Sequence, residues 1–149
     1  MTDTARTTRR TPVQLAALIV GVAFLLVGVA GFIPGLTTDF GMLSFMGMGS
    51  GAMLLGLFQV SVLHNIVHLL FGIAGLALSR GPRSARNYLI VGGAVYLVLW
   101  IYGLATGMGS ANFVPLNTAD NWLHFVLGAG MVGLGFVAGR ATVSSAVTA

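Results

Sequence analysis

"SVLHNIVHLLFGIAGLALSR", residues 61–80, decides how this chain is read. The stretch is apolar enough to cross a bilayer as far as the arginine that ends it, yet it carries His64, Asn65 and His68 near its start. On a helix Asn65, His68 and Gly72 fall at i, i+3 and i+7 and share one face, with His64 one turn before His68. Polar and ionisable side chains at membrane depth turn away from lipid, so this face is expected to look into a bundle or toward an aqueous surface.

The whole chain has the same character. Of its 149 residues 56% are hydrophobic and 7% charged, and the mean hydropathy is +0.95, which excludes a soluble globular domain and specifies an integral membrane protein. Charge-free windows cover 11–38, 40–79, 87–119 and 121–139; a span takes about 20 apolar residues. Four transmembrane helices are therefore expected, at roughly 12–33, 57–79, 87–106 and 121–139, forming one domain over 12–139 between cytoplasmic tails at 1–11 and 140–149. "GMLSFMGMGSG" (41–51) reads as an outer loop, and Met53–Val60 as a short interfacial helix or an extension of the second span. Arg6, Arg9 and Arg10, then Arg80, Arg83 and Arg86, then Arg140 all fall on one side of such a chain, and the positive-inside rule makes that side cytoplasmic, in a bacterial plasma membrane. "GPRSAR" (81–86) reads as the tight cytoplasmic turn. The net charge of +4 thus reflects topology, and no nucleic-acid partner is implied. The chain has no cysteine, which removes thiol redox chemistry, Cys-ligated zinc and disulfides together.

Internal similarity organises the four helices. A shift of 56 residues lays Asn65 on Asn121, His68 on His124 and Gly72 on Gly128; a shift of 72 lays Gly21 on Gly93, Phe24 on Tyr96, Leu25 on Leu97 and Gly31 on Gly103. The expected fold is an all-α four-helix bundle of two parallel hairpin repeats, each with a Gly-rich outgoing helix and a returning helix carrying N-x-x-H-x-x-x-G, both termini cytoplasmic. His68 stands twelve residues from Arg80 and His124 sixteen from Arg140, about 18 and 24 Å along a helix, in the outer half of the core. "NTAD" (117–120) is an N-cap cluster, which puts Asn121 and His124 in the first turn of the last helix, with Asp120 at the position matching His64. Gly72, Gly128, Gly130, Gly133 and Gly135 are helix-packing positions, the last helix being expected to pack through them on the second or on another subunit.

Two accounts of the polar cluster His64, Asn65, His68, Asp120, Asn121 and His124 follow. In the first the side chains are interhelical hydrogen-bonding glue, no cofactor is held, and the protein is a non-catalytic accessory or scaffold that meets membrane lipids and assembles as a homo-oligomer or within a larger membrane complex. In the second the cluster is a small redox or ligand-binding module: haem b between His68 and His124, a divalent metal at His64, His68 and His124, or a quinone pocket. A closed hydrogen-bond network marks the first, and a pocket the second. Met42, Met46, Met48 and Met53 invite a copper reading, but their spacing is irregular. Trp100, Tyr96 and Tyr102 read as packing and interface anchors. No catalytic motif is present: there is no phosphate loop, no nucleophile set, and only three acidic residues in the chain.

"RTPVQLAALIVGVAFLLVGVAGFIPG", "LLGLFQVSVLHNIVHLLFGIAGLAL" and "ANFVPLNTADNWLHFVLGAGMVGLG" together resemble a family of four-helix, multi-pass membrane proteins of unknown function from high-GC Gram-positive bacteria, over about residues 10–138. The resemblance implies the fold and no activity. A looser architectural similarity, to the DoxX-like four-helix proteins, implies at most a place near membrane redox partners.

Overall fold

A computed structural model describes residues 9–147, with side chains as far as Gly139. Arg6, the side chain of Arg140 and the last two residues of the expected C-terminal tail lie outside the described residues. The chain is mostly helical. Helix α1 is Pro12–Ala30, α2 Val62–Leu78, α3 Pro82–Thr106 and α4 Thr118–Val147. Three of these, α1, α3 and α4 over Thr118–Gly139, are long and apolar enough to cross a membrane, while α2 is a shorter apolar helix of 17 residues.

Local chemistry sets the boundaries and moves several of them from their expected places. Ser61 is the N-cap of α2, its Oγ accepting from the His64 N–H at 3.2 Å, so the helix opens at 62 rather than 57. Pro82 occupies the first position of α3, where its missing N–H costs nothing, and "GPRSAR" is therefore the entry to a helix rather than a separate turn. Helix α4 opens at Thr118 and continues past Gly139 to Val147, through a segment without proline or glycine.

Residues 53–60 are not helical. Thr37–Thr38 (β1), Met53–Leu54 (β2) and Phe58–Gln59 (β3) form a small antiparallel sheet in the order β1-β2-β3. The turn between β2 and β3 explains the departure, because Leu55 and Gly56 both take left-handed backbone, φ 54° and 68°, which a helix cannot accommodate. Such a conformation is uncommon for a branched, apolar residue like Leu55.

Helices pair chiefly as α1 with α2 and α3 with α4. Each pair is joined by backbone touching backbone. A Cβ added to Gly75 would lie 2.6 Å from the Gly21 Cα, and one added to Gly93 would lie 2.7 Å from the Gly128 carbonyl oxygen. Only glycine allows that approach. Gly72 likewise packs on Leu25 and Gly21, Gly128 on Leu97 and Gly93, and Gly135 on Ile90. The glycines of α4 thus meet α3 rather than α2, because α3 presents its own glycine at the crossing. A Cβ added at Gly130 or Gly133 would meet nothing within 4 Å among the described residues.

Between the pairs lies a core of Phe24, Tyr96, Leu89 and Met131, all buried. The outward faces are apolar, with Leu26, Leu70, Val98 and Val137 each at least 60% exposed. The Gln14 amide donates to the Arg80 carbonyl at 2.7 Å and Gly139 lies against Arg86, so the described arginines gather at the end of the helices opposite the sheet.

Backbone contact at Gly93 sets up a contrast between two glycines. Gly93→Val overfills the α3–α4 crossing and is expected to cost about 1–3 kcal/mol, whereas Gly130→Val meets open space and should be close to neutral. Thermal melting of the two variants in one detergent, followed by circular dichroism, checks the difference.

Candidate functional site

Two N-caps in the same register build the site. Ser61 caps α2, and three residues on stands His64, with His68 one turn deeper. At α4 the Asp120 N–H donates to the Asn117 side-chain oxygen at 2.9 Å, and the Asn117 N–H donates to Asp120 Oδ2 at 3.0 Å, a reciprocal cap. Asp120 therefore holds the place of His64, and His124 the place of His68. Because α4 opens at Thr118, Asn121 ends the first turn and His124 lies in the second, one turn deeper than "NTAD" suggests.

The three histidines converge. His64, His68 and His124 are 3%, 7% and 2% exposed, and each offers a ring nitrogen within 4.8 Å of the others'. The rings of His64 and His68 stand edge to face at 4.5 Å, and His124 lies 6.0 Å from His64. Aromatic side chains floor the cluster: Phe24 packs on His68 at 5.7 Å, Tyr96 on His124 at 5.0 Å, and Phe24 and Tyr96 on each other at 5.1 Å. Tyr96 is thus a wall of the site as well as a packing residue, and Phe24, matched to it in the sequence but not read as a site residue, is its counterpart. Their correspondence under the 72-residue shift is the signal that pairs them.

None of the three Nδ1 atoms has a hydrogen-bond partner among the described residues. A buried polar atom left without one costs about 1–3 kcal/mol, and such atoms mark places where an ion, water or ligand completes the set. Asp120 is differently placed. Its Oδ2 also accepts from the Gln59 N–H at 3.0 Å, and Asn117 Nδ2 donates to the Leu57 carbonyl at 2.9 Å, so the start of α4 holds β3 and its turn above the cluster.

The asparagines stand apart from the imidazoles. The Asn65 carboxamide lies against Gly31 and the Asn121 carboxamide against Gly103, so closely that a Cβ at either glycine would collide with it. Both Asn65 side-chain polar atoms and Asn121 Oδ1 lack partners, and no side-chain to side-chain hydrogen bond joins His or Asn residues among the described residues. The six polar residues therefore divide into a histidine cluster with Asp120 beside it and two Asn–Gly contacts. Trp100 packs on Phe125 at 4.8 Å, and Tyr102 accepts from the Phe113 N–H at 2.8 Å, bracing the connection between α3 and α4. Met42 lies in a 3-10 turn and Met53 in β2; Met42 and Met46 are exposed.

A cavity of about 260 Å³ lies between α1, α4 and the β2–β3 turn, and His64, His68, His124 and Asp120 line it. Its remaining walls are aliphatic and aromatic, among them Val20, Phe58 and Leu127.

Fold and site together define a small helical protein with membrane-spanning character and a buried three-histidine cluster at one end. The chain belongs to the family described as Domain of unknown function (DUF4383), whose model matches residues 14–137. No curated protein and no solved structure matches it.

Asp120 should be needed to hold the sheet over the cluster. Asp120→Ala is expected to lower stability by about 1–3 kcal/mol and to speed hydrogen exchange at the Gln59 and Asn117 amides while leaving α1 and α3 protected; hydrogen–deuterium exchange resolved by peptide checks this.

Proposed function

We propose that this protein is a small ligand-binding membrane module that holds one divalent transition-metal ion at His64, His68 and His124. The observation that carries the reading is the convergence of three buried imidazoles whose Nδ1 atoms have no hydrogen-bond partner among the described residues, the His64 ring also facing the Gln59 backbone. A tetrahedral zinc ion sits about 2.0–2.1 Å from each imidazole nitrogen. Donor atoms already within 4.8 Å of one another reach it by modest ring rotation. Imidazole suits zinc, copper, nickel and iron alike. Three ligands leave a fourth position open, the arrangement of zinc sites that exchange a ligand rather than of closed structural ones. Haem fits less well, because it needs two imidazoles facing across a flat slot, and here three crowd toward one point. The glue account lacks the closed network it requires, since the imidazoles and carboxamides make no bonds to each other.

The remaining architecture belongs to the same proposal. All four helices cross the plasma membrane, with the described arginines on the cytoplasmic side and the sheet outside. The chain is a tandem of two parallel hairpins, supported by matched contacts: Gly31 with Asn65 and Gly103 with Asn121, Leu25 with Gly72 and Leu97 with Gly128, Phe24 with His68 and Tyr96 with His124. A second reading, assembly with another copy or within a larger membrane complex, is favoured by Gly130 and Gly133, small positions on an outward face that meet nothing in this chain.

Metal analysis tests the central claim. Detergent-solubilised protein equilibrated with zinc and freed of excess is expected to retain about one ion per chain, and His64→Ala, His68→Ala and His124→Ala each to weaken binding by at least tenfold, while Asn65→Ala binds as the parent does. Retention well below one ion, or equal binding by the three histidine variants, overturns the proposal.

A further inference from the structure

A divalent ion at the three histidines creates a charge problem, and the cavity beside it suggests what solves it. The three imidazoles are neutral ligands. Asp120 is the one acidic side chain lining the cavity; Asp39 lies in the first outer loop, outside the cavity lining. An ion of charge +2 with at most one carboxylate nearby leaves an excess of positive charge in a buried, apolar place, where an uncompensated charge is costly. A monoanion at the open position offsets it.

The cavity walls select the kind of monoanion. The side of the cluster that lines the cavity is where a fourth ligand can enter, and everything else there is apolar: Val20 and Val27 from α1, Leu123 and Leu127 from α4, Phe58 from the sheet. Ile19 and Leu55 also line it and are 59% and 67% exposed, and Ala23 beside them is exposed as well. These three mark a mouth on the apolar outer surface of the helices. Leu55 is also the residue in left-handed backbone, a conformation of the type found where function over-determines local structure. A ligand entering by this route comes from lipid and carries its apolar body behind it.

We propose that the cavity between α1 and α4 binds an apolar monocarboxylate of the fatty-acid class, its carboxylate completing the coordination of the ion at His64, His68 and His124 and its chain leaving past Ile19, Ala23 and Leu55. The inference rests on the metal reading above. The ion supplies the attraction, the aliphatic walls of α1 and α4 disfavour small hydrophilic anions, and the single position left open by three histidines takes one carboxylate. About 260 Å³ holds the head and the first carbons of the chain.

Cobalt substitution separates the two claims in one experiment. Tetrahedral Co(II) bound by three histidines gives visible absorption bands that respond to the fourth ligand, so the bands themselves report the metal site and their change reports the carboxylate. Laurate added to the Co(II)-loaded protein in lipid nanodiscs is expected to shift these bands saturably, and dodecanol, with the same chain and no charge, to leave them unchanged. Acetate should require at least tenfold higher concentration. Ala23→Phe plugs the mouth at an exposed position and should weaken the laurate response at least tenfold with cobalt content unchanged; Ile19→Trp is an independent plug should the first variant fold poorly. Absence of the bands overturns the metal reading, and this inference with it. Bands that are present but indifferent to laurate, equally responsive to acetate, or unaffected by both plugs overturn the carboxylate proposal alone.

Discussion

The end of this protein that holds the histidines depends on two places where helix backbones touch. At Gly21 with Gly75, and at Gly93 with Gly128, the absence of a side chain on both partners lets the axes close to a distance no alanine would permit. In lipid such contacts carry association, since there is no hydrophobic gain in bringing two apolar helices together. The two close pairs leave Phe24 and Tyr96 to meet in the middle, and their rings form the floor on which the imidazoles rest. His64 and His68 meet through the turn of α2 itself, and the packing of the two pairs adds His124 from α4, within 4.8 Å.

The cluster is also a departure from even spacing of like residues. Four positions, 64 and 68 on α2 and 120 and 124 on α4, stand at the third and seventh places of two similarly capped helices. Three are histidine and one is aspartate. That single difference divides the labour: His64 contributes a ring to the cluster, whereas Asp120 turns its carboxyl to the Gln59 and Asn117 amides and fastens the sheet above. A fully symmetric arrangement would supply four imidazoles and leave the sheet unanchored.

The helices, their approximate limits and the membrane character were legible in the sequence, because charge-free windows and arginine positions are direct consequences of what a bilayer tolerates. The coming together of His64, His68 and His124 was legible in part, since i, i+4 spacing and the 56-residue correspondence place them at similar depth. What was hidden had physical reasons. Residues 53–60 are as apolar as a helix, and only the left-handed pair Leu55 and Gly56 turns them into a hairpin. Asn65 and Asn121 share the motif with the histidines, yet each is claimed by a glycine of the neighbouring helix, a contact that depends on the axial offset between helices and is written in neither partner alone. The glycines of α4 read as one packing stripe, but a helix has a circumference: Gly128 and Gly135 face α3, while Gly130 and Gly133 look outward.

If α2 crosses the bilayer with the other three helices, as proposed, its shortness has a consequence for the surrounding membrane. Seventeen residues rise about 26 Å, less than the roughly 30 Å of a typical hydrocarbon core. The residues that precede its cap include Leu55 and Leu57, 67% and 54% exposed, in the turn between β2 and β3. Under the four-span reading proposed above, these side chains would lie at the level of the acyl chains, with the lipid beside them drawn thin. Hydrophobic mismatch of this kind costs fractions of a kcal/mol per Å, which on that reading would give the protein a preference for thinner membrane.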